Sequence, residues 1–255
     1  MRVDAVLPAG GRISSDVARE AGTQIKALLQ FGGITVLEQS LRTVRATGRI
    51  DRIVVVGPSE IAPHAEHLAD AVLPEADSGA GNIMRGLQWL RMAAGGNDPG
   101  RVLILTTDLP FLRPEAIKGF LDGCPPELDL CVPVIERHEF ELRFSRPPAR
   151  YVHLRDGEWM IGCAVLINPA AILRNYRMVE RVFAARRSQF GMARLLGPRF
   201  IWRFLTRRLT IEQIESKCLE MLGCTGGAIR GCAPELGFDI DYPEDYRYAA
   251  LRWQS

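Results

Sequence analysis

Short β-branched runs alternate with longer amphipathic stretches through the first half of the chain, and that alternation restricts the fold to an α/β architecture, a parallel sheet covered by helices. Val3–Leu7, Ile53–Val56, Ala71–Leu73, Val102–Leu105 and Leu128–Val134 are the expected strands. Between them, Thr35 to Thr47 puts Val36, Leu37, Ser40, Leu41 and Val44 on one helical face, and Gly48 ends it. Asn82 to Ala94 predicts a second helix stopped by Gly95 and Gly96, and Pro114 opens a third that runs to Leu121. The second half reads differently. Phe140 to Trp159 predicts irregular extended pieces around Pro147 and Pro148, whereas Pro169 to Lys217 is mostly helical and rich in arginine. Gly226 to Asp241 is strand-like, and Pro243 starts a terminal helix to about Leu251. The expectation is a single domain over residues 1–255, with residues 167–217 as a helical cap on the sheet.

Composition narrows the function classes. With 47% hydrophobic and 24% charged residues the 255-residue chain is globular, and a net charge of +2 is too small to mark a nucleic-acid binder. The apolar runs fall short of the roughly 20 residues that span a bilayer, and the opening residues lack a secretory pattern. A cytoplasmic protein without stable membrane insertion is expected. Cys124, Cys131, Cys163, Cys218, Cys224 and Cys232 contain no C-x-x-C pair, which argues for reduced, buried thiols. His64 and His67, three apart, read as a solvated helix face rather than a metal pair.

Three stretches carry chemistry. The first strand runs into Pro8-Ala9-Gly10-Gly11-Arg12, where small residues leave backbone N–H groups open to a base or a phosphate, or simply make a tight turn. Lys26, anchored by the apolar Ala27-Leu28-Leu29, can reach back over that loop as a point charge for phosphate; the alternative is a solvated surface lysine. Thr106-Thr107-Asp108-Leu109-Pro110 follows an apolar strand, so Asp108 falls at the carboxyl end of the sheet, as a Mg²⁺ ligand or as a turn residue before Pro110. In Asp239-Ile240-Asp241 an alternating run sets two carboxylates on one face of a strand, where a cation would relieve their repulsion; Asp241 can instead cap the helix begun by Pro243.

Taken in order, Leu7-x-Ala9-Gly10-Gly11, Lys26-Ala27-Leu28-Leu29, Gly33, Thr107-Asp108-Leu109-Pro110 and Asp239-Ile240-Asp241-x-Pro243-Glu244-Asp245 resemble the MobA-like nucleotidyltransferases over nearly the entire chain. The resemblance implies a Rossmann-like three-layer α/β/α sandwich of the GT-A type with a mixed, mostly parallel sheet. It also implies that Leu7, Ala9, Gly10, Gly11 and Arg12 hold the nucleotide, that Lys26 binds the triphosphate, and that Asp108 and Asp241, with Asp239 beside them, hold Mg²⁺. The partners would be a nucleoside triphosphate and a small phosphorylated acceptor, with a homodimer left open. Ser78 and Asn82 fall where relatives contact base or ribose, although N-capping of the following helix explains them equally. Gly162 and Cys163 resemble the small residues that line an acceptor site. The chain departs from the family pattern at Gly11-Arg12-Ile13-Ser14-Ser15-Asp16 and at Ile25, where a proline is usual; Arg12 or Arg19 is left to supply the loop guanidinium. A GT-A glycosyltransferase and a catalytically silent nucleotide-binding protein are the alternatives. The segment Arg194–Arg208, with Phe200, Trp202 and Phe204, reads as a cap helix packed on its apolar side, or as a cationic surface for lipid or an acidic acceptor.

Overall fold

The computed structural model describes residues 2–185 and 189–253. Eleven strands are formed in these residues: β1 (Val3–Pro8), β2 (Gln30–Phe31), β3 (Ile34–Thr35), β4 (Ile50–Gly57), β5 (Ala71–Pro74), β6 (Val102–Leu105), β7 (Leu130–Glu136), β8 (Val152–Leu154), β9 (Gly157–Ile161), β10 (Ala164–Ile167) and β11 (Gly226–Ile229). Nine of them make one sheet in the order β5-β4-β1-β6-β10-β7-β9-β8, with β11 pairing β7, while β2 and β3 form a separate hairpin. The β1–β4, β1–β6, β4–β5 and β7–β11 pairings are parallel. Only β9 and β10 run against the other strands of that sheet.

Helices α1 (Ser15–Ala21), α2 (Val36–Ala46), α3 (Ala62–Ala65), α4 (Gly79–Ala93), α5 (Pro114–Gly123), α6 (Arg137–Arg143), α7 (Pro169–Arg174), α8 (Tyr176–Ala185), α9 (Gln189–Leu196), α10 (Pro198–Leu205), α11 (Ile211–Leu222) and α12 (Pro243–Arg252) surround the sheet. Strand alternation divides the core into two layers. Ala5, Leu7, Ile53, Val55, Leu103 and Leu105 face the side covered by Leu37 and Leu41 of α2 and Ile117 and Phe120 of α5. Their neighbours Val6, Val54, Val56 and Ile104 face Leu87 and Leu90 of α4. Successive side chains of a strand point to opposite faces, so these doubly buried, almost wholly apolar strands require helices on both sides. The result is the expected three-layer sandwich.

Local chemistry explains the helix boundaries. Thr35 and Glu38 form a reciprocal capping box at the start of α2. The helix expected from Asn82 begins three residues earlier, because Ser78 takes the cap position and its hydroxyl accepts from the Gly81 N–H at 3.0 Å. Gly86 lets α4 approach the sheet: a Cβ there would lie 2.5 Å from Val6 Cγ1.

Two expectations in the second half are corrected. Phe140–Trp159 is not irregular throughout: α6 buries Phe140 one turn from Phe144, and β8 and β9 form a hairpin turning at Arg155-Asp156. The strand-like reading of Gly226–Asp241 holds only to Ile229, since Pro234–Leu236 forms a 3₁₀ turn and the chain then runs unpaired to Asp241. The expected cap consists of α7 to α11 among the described residues, with 186–188 lying outside them. Within it α10 buries none of its side chains completely: Phe200 packs against the cluster of Val134, Leu154, Trp159, Leu209 and Ile211, but Trp202, Phe204 and Leu205 face solvent. No helix among the described residues is long and apolar enough to cross a membrane.

Candidate functional site

The parallel strands β1, β5 and β6 end on one rim, and the loops that follow them enclose a cleft of about 950 Å³. Gly10, Gly11 and Arg12 follow β1, Glu75 to Asn82 follow β5, and Thr106 to Asp108 follow β6. Lys26, Gly162, Cys163, Asp239 and Asp241 complete the lining. Of the residues expected to bind nucleotide, Leu7 and Ala9 lie elsewhere: both are fully buried, and the Ala9 N–H is spent on the Val56 carbonyl at 2.7 Å.

The glycines of the first loop have a steric reason. A Cβ on Gly11 would sit 3.2 Å from Lys26 Cδ, and one on Gly10 would meet Glu75 Oε2 at 2.8 Å. Lys26 is fixed from both directions. Its backbone N–H donates to the Gly11 carbonyl at 3.0 Å, while Ala27 and Leu29 beyond it are fully buried. The ammonium therefore reaches over the loop and hydrogen-bonds Asp108 Oδ2 at 3.1 Å and Asp241 Oδ1. Burial opposes the charge on Lys26, but the two carboxylates outweigh it and hold the amine protonated well above its ordinary range.

Asp239 and Asp241 reach the cleft by a different route from the one expected. The stretch is not a strand; the Ile240 N–H donates to the Asp108 carbonyl at 3.2 Å, which lays the two segments side by side. Nor does Asp241 cap the terminal helix. Asp245 performs that role, accepting the Asp241 and Tyr242 N–H groups at 3.0 and 2.7 Å, and this leaves the Asp241 carboxylate free to face Lys26.

Oxygens of Asp108, Asp239 and Asp241 lie within 4.8 Å of one another. Burial, reinforced by the charges of Asp108 and Asp241, pushes the Asp239 carboxyl up to about 7. Among the described residues Asp108 Oδ1 is buried and lacks a hydrogen-bond partner. Three carboxyl groups against one ammonium give the cluster a surplus of acidic groups, and one buried Asp108 oxygen has no partner; this donor set fits a divalent cation of the Mg²⁺ type.

The remaining candidates divide. Ser78 and Asn82 line the cleft while also serving the fold, Ser78 as the α4 cap and Asn82 by accepting the Ala76 N–H at 2.6 Å. Gly162 and Cys163 interrupt the line of β9 and β10 at the cleft wall. The smallness of Gly162 has a packing cause, since a Cβ would clash with Pro133 Cγ at 2.8 Å. Burial and the three nearby carboxylates push the Cys163 thiol up, so it is a neutral wall rather than a nucleophile. Arg12 lines the cleft and Arg19 does not; Arg12 donates to the Gly10 carbonyl at 2.8 Å and pairs with Glu75 at 2.9 Å, whereas Arg19 pairs with Asp16 on α1. Glu75 was not anticipated: it follows β5, the weakest strand pattern, and only the fold brings it beneath Gly10 and Arg12.

The chain is thus an α/β sandwich with a lysine and three aspartates on one cleft at the carboxyl ends of its parallel strands. The MobA-like NTP transferase domain matches residues 5–209, and the chain belongs to that family. That span stops short of Asp239 and Asp241, which enter the site through the fold alone. Among solved structures the chain is similar to a hypothetical transferase from Thermus thermophilus, at 29% identity and a TM-score of 0.84 over 96% of this chain and 100% of that one. It shares its fold with 4-diphosphocytidyl-2C-methyl-D-erythritol synthase from Anaerococcus prevotii, at 15% identity and a TM-score of 0.60 over 100% and 96% of the two chains. The same holds for CMP:2-keto-3-deoxy-manno-octonic acid synthetase, solved with CTP, at 13% identity and 0.63 over 100% and 99%. No curated protein matches the sequence.

Proposed function

We propose that this chain transfers a nucleoside monophosphate from a nucleoside triphosphate to a small phosphorylated acceptor, releasing pyrophosphate. The observation that carries the reading is the convergence of Lys26, Asp108, Asp239 and Asp241 on a cleft that the glycine loop, Ser78 and Asn82 also line. Family membership supports the reaction class, and the CTP complex of a structural neighbour supports a nucleotide in such a cleft.

In this reading an acceptor phosphate oxygen attacks the α-phosphorus in line, the bond to the β-phosphate oxygen breaks, and pyrophosphate leaves. An ionised phosphate needs no general base, so the chain's work is positioning and charge neutralisation. Backbone N–H groups from Gly10 to Arg12 orient the phosphate chain. Lys26 exchanges a carboxylate partner for phosphate oxygens and offsets their charge. Asp108 and Asp241, with Asp239 behind them, would hold a divalent cation, which when bound polarises the α-phosphate. Cytoplasmic residence fits this chemistry, because triphosphates and Mg²⁺ are abundant there.

The test is direct. Thermal melts with each of the four ribonucleoside triphosphates and Mg²⁺ should show one preferred ligand raising the transition, as mass action requires. Pyrophosphate release across an acceptor panel should be cation-dependent in the wild type and fall by about 10³-fold or more in Asp108→Ala with the fold retained. Unchanged release would remove Asp108 from the site, and triphosphate binding without turnover on any acceptor would favour the silent nucleotide-binding alternative.

A further inference from the structure

A second, smaller pocket of about 280 Å³ opens on the far side of the acidic cluster and shares Asp239 and Asp241 with the nucleotide cleft. Its floor is apolar: Phe140, Phe238 and Met160 are buried in the core below it, with Val152 and the exposed Ile161 at the side. Pro147 and Pro148 form the opposite lip and fix the approach of the next two residues. Arg150 lies on that lip. Its guanidinium sits 3.5 Å from the centre of the Tyr242 ring, one residue beyond Asp241, and its contact with Glu244 is long, at 3.4 Å. A guanidinium over an aromatic ring, with one Nη spent on Glu244, has further N–H donors for an oxyanion.

We infer that this pocket seats the acceptor, and that the acceptor is a phosphate monoester of an apolar alcohol whose hydrocarbon body fills the Phe140–Met160–Phe238 floor while its phosphate lies between Arg150 and the aspartate cluster. The assignment rests on the nucleotidyl-transfer reading for the identity of the partner in the neighbouring cleft. It follows from two features of the pocket: the side chains of Phe140, Met160 and Phe238 offer a sugar's hydroxyls no hydrogen-bonding partner, and Arg150 is the cation among the lining residues, on the side where Tyr242, Asp241 and Asp245 stand. The shared Asp239–Asp241 wall brings an acceptor oxygen to the side of the cleft where the α-phosphate would be held. The bond that forms is between that oxygen and the α-phosphorus; the bond that breaks releases pyrophosphate, and no proton need be moved.

Phenyl phosphate is the probe, with glycerol 3-phosphate and phenol as comparators, each titrated calorimetrically into the full chain in Mg²⁺. Phenyl phosphate should bind at least about tenfold more tightly than either comparator, and Arg150→Gln should weaken it by about tenfold or more. Ile161→Glu, at an exposed position of β9, should weaken it as well by placing a carboxylate at the lip, with the melting temperature of the variant as the control for its fold. Both variants should bind the preferred Mg²⁺–triphosphate as the wild type does, because neither residue lines the nucleotide cleft. Equal affinity for the two phosphates, or an unaltered phenyl phosphate affinity in Arg150→Gln, would overturn the assignment. Phenyl phosphate binding that depends on Arg150 in a protein that binds no triphosphate would sustain the pocket and defeat the nucleotidyl-transfer reading instead.

Discussion

The position of Lys26 depends on a residue fifteen places earlier. Gly11 leaves the lysine stem room to lie across the loop: an imagined Cβ would sit 3.2 Å from Lys26 Cδ, close enough that the stem would have to give. Because the obstructing atom belongs to a flexible stem, Gly11→Ala should cost less than about 1 kcal/mol of stability yet displace the ammonium. The expected signature is a nearly unchanged denaturation midpoint in the free protein combined with a clear loss of stabilisation by Mg²⁺–triphosphate. An unaltered ligand effect would mean that the lysine tolerates the shift. This residue-scale relation was only half legible in the sequence. A glycine pair at a strand end and a lysine before an apolar run are visible as types, but the contact between them is not. Asp239 and Asp241 were legible as a pair for a reason that proved different: they share a cleft through the Ile240–Asp108 hydrogen bond, not through strand alternation.

Among the elements, α2 shows how closely local chemistry follows sequence. Thr35 gives its N–H and hydroxyl to Glu38 Oε2 at 3.1 and 2.9 Å, and its own Oγ1 accepts the Glu38 N–H at 3.1 Å. Burial pushes the Glu38 carboxyl up, but these hydrogen bonds prevail and hold it below its ordinary value of 4.5. A carboxyl depressed in the fold contributes stability that is present above its unfolded value and lost as pH falls below it. Thr35→Ala should therefore cost about 1 kcal/mol at neutral pH, and the gap from wild type should narrow as denaturation is repeated below pH 4.5. A gap independent of pH would assign the loss to packing. Elements carried by such caps and by period, including α2, β1 and β6, were readable in advance. The β8–β9 hairpin was not, because the Pro147-Pro148 pair dominates the text before it, although Asp156-Gly157 offered a turn signal. Helix α6 was obscured by having only Phe140 and Phe144 as inward anchors.

At the scale of the whole molecule, the terminal helix α12 is coupled to the site. Phe31 of the β2–β3 hairpin packs against Tyr246 and Trp253 at 5.7 and 5.5 Å, and Asp245 ties the helix start to the Asp241 loop. Asp245→Ala would strand two backbone N–H groups and should cost about 2 kcal/mol. It should also reduce the rise in melting temperature produced by Mg²⁺, since Asp241 would no longer be held toward Asp108; an undiminished rise would uncouple the helix from the cluster. The three-layer architecture was legible because strands buried on both faces admit few alternatives. What sequence could not supply was the second pocket, whose walls come from α6, the Pro147–Val152 segment, β9 and the Asp239 loop, and which exists only once the two halves of the chain are packed together.

The charged cluster also has an order of synthesis. Lys26 and Asp108 emerge early, and the sheet centre of β1, β4 and β6 is complete by residue 105, but Asp241 is made only when 14 of the 255 residues remain. Without Asp239 and Asp241, Lys26 would keep Asp108 alone as its partner, so two of the three clustered carboxylates and the lysine's second contact come from a segment far along the chain from the glycine loop.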